Sequence, residues 1–327
     1  MAAKRPGAAP LSAGGRRAMT GGKAIWIAIP TFRRPAELRH LLDSLAKLVR
    51  RDDVMLLVAD NDGARMEGAG VVEALRQAGY PLPLTLLPVP QPGLCAVRNA
   101  ICAAAMADPA MRFIAMIDDD EWPQPGWLDE LLSCQARIGA DVVAGPVDFH
   151  FRGSPPRWAR ETLVFRPEQR AWGATGMLWA SNNLLVTRKA LTMTDQPWFD
   201  PRFNRSGGED LDFLARLHAA GARFGWAPDA RVSEWVPPER ARLSWVLKRM
   251  WRIGFTETLA RQKQRPGLFG RASLMARSLA ILTVRTLGLA ALILPGARRV
   301  DIAGQWVKSW GRLYALSGGA HSHYGAL

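Results

Sequence analysis

Phe113-Ile114-Ala115-Met116-Ile117-Asp118-Asp119-Asp120-Glu121 is the stretch on which the fold turns, five apolar residues running into four consecutive acidic ones. Phe113 to Ile117 is continuously apolar, bounded by polar residues and short for a helix, which predicts a strand buried on both faces. The carboxylates then stand at its C-terminal end, the edge of an open α/β sheet where ligands bind. Adjacent like charges repel unless a cation neutralises them. Hard oxygen ligands suit Mg²⁺ or Mn²⁺, with positions left open for phosphate oxygens. A solvated acidic turn has the same composition, so the context along the chain must decide.

That context is an alternation of strands and helices. Strands are expected at Ala24 to Ile29, Val54 to Ala59 and Leu84 to Pro88, and helices at Glu37 to Val49, Val71 to Ala78 and Leu94 to Met106. Loops Pro30-Thr31-Phe32-Arg33-Arg34-Pro35 and Asp60-Asn61-Asp62-Gly63 follow the first two strands. The pattern predicts a parallel sheet with helices on both faces. Further on, Asp141 to Val147 and Leu184 to Val186 read as strands, and Glu209 to Ala220 as a helix after a flexible Gly207-Gly208. Between them the stretch to about residue 180 is irregular, and loops of that length are usually functional.

With 327 residues the chain can bury one large α/β core, alone or with an appendage. Its net charge of +14 predicts attraction to phosphates or an anionic surface. Cys95, Cys102 and Cys134 form no CxxC pair and have no neighbouring His cluster, which argues against zinc or a disulfide framework and fits a reducing cytoplasm. Residues 1–23 are expected to be a disordered basic leader, lacking the apolar core of a signal peptide. From Arg240 to Arg277 ten Lys or Arg residues face one acidic residue, Glu257. That basic segment runs into an apolar stretch split by Arg285 and ended by Pro295-Gly296. A spanning helix needs about 20 mostly apolar residues; residues 272–296 better suit a helix lying in a bilayer interface. An ordinary buried helix fits the same residues.

Five motifs occur in order: Pro30-Thr31-Phe32-Arg33-Arg34, Asp60-Asn61-Asp62, Gly93 to Asn99, Asp118-Asp119-Asp120 and Gly208-Glu209-Asp210. In that order the chain resembles glycosyltransferase family 2 over roughly residues 24–255, leaving 256–327 as a basic, apolar, helical membrane-associating region. Ile117 to Pro123 and Val232 to Arg240 look most like its bacterial exopolysaccharide branch, including succinoglycan-type glucosyltransferases. The resemblance implies an α/β GT-A nucleotide-diphospho-sugar fold with a mostly parallel central sheet flanked by helices, and a helical C-terminal appendage.

The resemblance also implies roles. Pro30, Thr31, Arg33, Asp60 and Arg98 would hold the nucleotide, Thr31 and Asp60 at the uracil; Asp60 as a turn former and Arg98 as a surface ion pair are the alternatives. Asp120 would be the direct metal ligand, and Asp118 and Asp119 would share sugar, ribose, metal and metal-bound water between them. Glu209 and Asp210 stand where a helix start favours carboxylates; the family pattern makes Asp210 the base that deprotonates the acceptor, with inversion. Glu234 stands where many family members carry His, as a candidate metal ligand. No QxxRW motif follows, which points to transfer of a single sugar. Trp172, Trp179 and Trp235 are candidates for stacking on sugars, and Asn182 and Asn183 for sugar hydroxyls or for turns.

The expected activity is therefore metal-dependent, inverting transfer from a UDP-sugar, UDP-glucose foremost, to a lipid-linked saccharide at the cytoplasmic face of the membrane. Two other classes stay open: a non-catalytic nucleic-acid-binding protein, supported only by charge, and a metal-dependent phosphotransferase, which lacks a P-loop signature.

Overall fold

A computed structural model describes residues 22–293 and 298–319. Nearly all of the expected leader, and Pro295-Gly296, lie outside them. The first half of the chain alternates as expected: β1 (Ile25–Thr31), α1 (Pro35–Leu45), β2 (Val54–Asp60), α2 (Glu67–Gln77), β3 (Leu84–Pro88), α3 (Leu94–Ala107) and β4 (Phe113–Met116). There follow β5 (Glu121–Pro123), α4 (Trp127–Ile138), β6 (Val142–Ala144), β7 (Val147–Phe151), α5 (Arg157–Glu161), β8 (Gly173–Thr175), β9 (Leu184–Thr187) and α6 (Arg188–Leu191). The chain continues through α7 (Glu209–Ala219), β10 (Phe224–Trp226), β11 (Val232–Val236), α8 (Leu243–Gln264), α9 (Leu268–Leu287) and α10 (Arg298–Leu316).

The main sheet has the order β3-β2-β1-β4-β9-β6-β10-β8. Successive residues of β1 feed opposite layers: Trp26 and Ala28 pack with Val97 and Ile101 of α3 and Phe213 of α7, whereas Ile25, Ile27 and Ile29 pack with Leu38 of α1 and Trp127 of α4. Burial on both faces explains why these strands are apolar without alternation. The β1, β2, β3 and β4 pairings are parallel. β9 runs antiparallel to both β4 and β6, and β8 antiparallel to β10, so the sheet is mixed rather than wholly parallel.

One expected strand is two. Asp141 to Val147 breaks after Ala144, and β7 joins β11 and β5 in a second, three-stranded sheet. Pro146 lacks an N–H and cannot extend a ladder, and its carbonyl instead accepts from Asn183 Nδ2 (3.0 Å). Gly207 and Gly208 are set rather than flexible: both have positive φ, and a Cβ on Gly208 would lie 2.7 Å from Thr256 Cβ of α8.

α8 runs unbroken through residues 255 and 256, the expected domain boundary. Its N-terminal half reaches the second sheet, where Val246 and Met250 pack with Val236. Its C-terminal half packs on α10, where Gly254 and Gly311 let the backbones meet. α9 is the expected apolar helix, and Leu268–Ala290 is long and apolar enough to cross a membrane. Arg285, which splits the apolar stretch, turns inward: it donates to the Gln305 carbonyl (2.6 Å) and Ser309 Oγ (2.8 Å) of α10. Leu279, Val284 and Leu287 are exposed, so the large apolar side chains on this face of α9 do not pack on the catalytic domain.

Candidate active site

The acidic run leaves β4 at the C-terminal edge of the sheet, as its position after an apolar strand dictates. Thr31, at the end of neighbouring β1, donates from Oγ1 to Asp119 Oδ2 (2.9 Å). Arg34, just ahead of α1, binds Asp119 Oδ1 (3.0 Å) and Asp120 Oδ2 (2.9 Å). Arg240, in the turn after β11, bridges Glu234 Oε1 (2.6 Å) and Asp120 Oδ2 (3.4 Å). Arg98, buried in α3, binds Glu209 Oε1 (2.7 Å) and Asp118 Oδ1 (3.4 Å), joining the acidic run to the first turn of α7. Antiparallel pairing of β11 with β5 sets Glu234 opposite Glu121. Glu121 is buried and accepts from Asn182 Nδ2 (2.6 Å) and the Asp118 N–H (3.0 Å).

Sequence-picked residues thus separate into groups. Asp118, Asp119, Asp120, Thr31, Arg98, Glu209 and Glu234 converge. Asp210, beside Glu209, uses Oδ1 to accept from the Leu211 N–H (2.7 Å), and its charge acts on Asp118 and on Arg249 of α8. Asp60 is fully buried, with Oδ1 and Oδ2 accepting from the Asp62 and Ala69 N–H groups, so in this structure it fastens the turn into α2. Arg33 turns away to Asp62 (3.1 Å). Pro30 lies within β1, in register with Ala59. Asn183 is internal: Oδ1 accepts from Trp127 Nε1 (2.6 Å), and Nδ2 donates to the Pro146 and Ala230 carbonyls. Trp235 packs against Trp122 with ring centroids 4.6 Å apart.

Arg34 and Glu121 lie in the sequence motifs but have no assigned role there, and Arg240 and Arg249 have none either. Arg34 adjoins a chosen residue, but the turn ahead of α1 decides which arginine faces the acids. Arg240 and Arg249 arrive from the second sheet and α8, whose placement no local spacing encodes.

Burial dominates the electrostatics. It pushes the Asp119 carboxyl up to about 7 against the pull of Arg34, and the Glu234 carboxyl to about 7, with Asp120 adding repulsion. Glu209 is raised to about 7 by burial and by Asp210, while Asp118 and Glu121 are raised by burial first. Such a cluster is short of positive charge. Its donors are all carboxylate oxygens, which fits Mg²⁺ or Mn²⁺. Among the described residues no three His, Cys, Asp or Glu side chains form a group that could hold a metal ion as they stand. Beside the cluster lies a cleft of about 200 Å³ lined by Trp179, Asn182, Trp226, Glu234 and Arg249, with Gly145 at the break between β6 and β7.

Residues 26–199 match glycosyl transferase family 2, and residues 113–314 match glycosyl transferase family group 2. The chain belongs to glycosyl transferase family 2. Within this family it is 35% identical over 234 residues to the succinoglycan biosynthesis protein ExoM of Rhizobium meliloti, covering 70% of this chain and 72% of that protein. It is 27% identical over 243 residues to the pre-mycofactocin glycosyltransferase of Mycobacterium tuberculosis, covering 72% of this chain and 47% of the relative. The mannosyltransferase PcManGT from Pyrobaculum calidifontis, solved with GDP-Man and Mn²⁺, superposes with a TM-score of 0.57 at 15% identity, covering 92% of this chain and 89% of that one. It shares the GT-A fold of the family.

Proposed function

We propose that this glycosyltransferase moves one sugar, with inversion, from a UDP-sugar, UDP-glucose foremost, to a lipid-linked saccharide in the assembly of exopolysaccharide or another cell-surface polysaccharide. The observation that carries this reading is Arg98, which ties the acidic strand end to the helix bearing Asp210. The acidic strand end and Asp210 are thereby held at the same edge of the sheet, beside the cleft lined by Trp179 and Asn182. Similarity to the succinoglycan protein supports the polysaccharide setting.

Thr31 and Asp60, at the ends of β1 and β2, would border the nucleotide, and to contact the base they would have to share the bonds they make here to Asp119 and to the Asp62 and Ala69 N–H groups. Trp179 and Asn182 line the cleft in which a sugar can stack and hydrogen-bond. In a single displacement the acceptor oxygen bonds to the anomeric carbon as the bond from that carbon to the diphosphate oxygen breaks. The electron pair leaves with the nucleoside diphosphate, and Asp210 takes the acceptor's proton. Asp118 and Asp120, with Glu234 as a further donor, would hold a divalent cation, which supplies charge stabilisation for the departing diphosphate. The exposed apolar face of α9 and the basic segment around it support peripheral attachment to the cytoplasmic leaflet.

The test is donor turnover by purified protein across UDP- and GDP-sugars with lipid-linked acceptors, with Mn²⁺ or with chelator. Transfer is expected from one UDP-sugar and lost in chelator. Turnover of GDP-sugars only, or full activity in chelator, overturns the corresponding part of the reading.

A further inference from the structure

A second cavity, of about 230 Å³, lies between α8 and α10. Leu163, Met250, Ile253 and Val300 give it apolar walls, and Arg249 and Lys308 are its cations. It shares Val164 and Arg249 with the cleft beside the acidic cluster, so Arg249 stands between two chambers.

The other charged or amide groups on its wall are engaged. Asp301 accepts from Thr162 Oγ1 and the Leu163 N–H, Gln305 Oε1 accepts from Arg285, and Lys308 donates to Glu257 (2.6 Å). Among the described residues the Arg249 guanidinium has no hydrogen bond or ion pair of this kind; it lies over the Trp245 ring at 5.3 Å. Arg249 is half-buried where the two chambers meet, and a partly desolvated charge without a bonded counter-ion is costly. Burial accordingly pulls the Arg249 pKa down, with Glu234 opposing. An anion bound there would remove the cost.

The walls restrict what carries that anion. On the cleft side Arg249 meets the space for a sugar; on the other side it meets an apolar channel in the helical unit that also carries exposed Leu279, Val284 and Leu287 on α9. A ligand with sugar, phosphate and hydrocarbon in that order matches the sequence of environments. We infer that the second cavity seats the phosphate-bearing end of the acceptor's prenyl chain, with Arg249 holding the phosphate between the saccharide and the hydrocarbon. This rests on the lipid-linked acceptor proposed above, and it adds where that lipid enters.

Binding of farnesyl phosphate to full-length protein tests it, with UDP binding and UDP-sugar hydrolysis measured in parallel. Arg249→Met, which strands no bonded partner, is expected to weaken farnesyl phosphate at least tenfold and UDP less than threefold. Val300→Phe, filling the channel away from the acidic cluster, should weaken farnesyl phosphate similarly and leave donor hydrolysis unchanged; thermal melting reports whether either variant folds. Displacement of farnesyl phosphate by equimolar inorganic phosphate overturns the inference, since the site would then read phosphate alone. Loss of UDP binding in Arg249→Met with farnesyl phosphate unaffected also overturns it. If UDP-sugar is turned over but folded wild-type protein binds no farnesyl phosphate, the inference falls and the glycosyltransferase reading stands. If farnesyl phosphate binds as expected and no nucleotide sugar is turned over, the cavity assignment stands and the proposed activity falls.

Discussion

Asn182 and Asn183 are neighbours with opposite fates. Asn183 is fully buried at φ +50° and satisfies three partners from separate segments. Asn182 lines the cleft and donates to Glu121. Each buried group left without a partner costs about 1–3 kcal/mol, so Asn183→Ala should lower stability by about 3 kcal/mol in urea unfolding and Asn182→Ala by about 1 kcal/mol. Equal losses would contradict the assignment. The raised carboxyls make a second prediction. Asp119, Glu209 and Glu234 titrate near 7 in the folded chain, against about 4 unfolded. Between those values the folded state retains protons that the unfolded chain has lost, so stability falls as pH rises through the window. Metal-free protein should show a higher urea midpoint at pH 5.5 than at pH 8; a midpoint that is flat or rising with pH contradicts it. The acids themselves were legible, because an apolar run ending in carboxylates fixes where they stand. Of their arginine partners Arg98 was picked, but Arg34 and Arg240 were not: Arg34 and Arg33 differ only in the turn that follows β1, and Arg240 arrives from the second sheet.

At the scale of elements, the strands and helices through β4 could be read from periodicity because each is bounded by its own turn residues. β5, β11 and most of α8 could not. β5 has three residues and gains its pairing from β11, more than a hundred positions away, and the charges of α8 are basic but for one acidic residue, which is turned to α10. There Glu257 binds Lys308 (2.6 Å) and Arg312 (3.3 Å). Contact between these helices depends on glycine: a Cβ on Gly311 would lie 2.0 Å from the Trp251 carbonyl oxygen. Forcing atoms into a packed contact costs about 1–3 kcal/mol. Gly311→Ala should therefore lower the unfolding free energy by about 2 kcal/mol and loosen the Trp251–Tyr314 ring contact (5.4 Å), visible in tryptophan fluorescence. Unchanged stability and spectrum would mean that the helices are not held at this spacing.

For the whole molecule, a net charge of +14 and an uncovered apolar helix on one appendage point to the same kind of surface. Removing α9 and α10 together would also strip α8 of its partner, so point charges isolate the effect better than truncation. Leu279→Glu with Val284→Glu should release the protein from anionic liposomes in flotation while leaving UDP binding intact; equal flotation would show that α9 is not the anchor. The fold beneath was legible because the order of five motifs along one sheet edge is a property of the whole chain, whereas the route of the acceptor depends on cavities formed between distant elements. The central claim is that Asp210 deprotonates the acceptor in a UDP-sugar transfer. Its most direct test is turnover of radiolabelled UDP-sugar by Asp210→Asn with lipid-linked acceptor. The account predicts a fall in kcat of about 10²- to 10⁴-fold with donor binding retained, and undiminished kcat in a folded variant would contradict it.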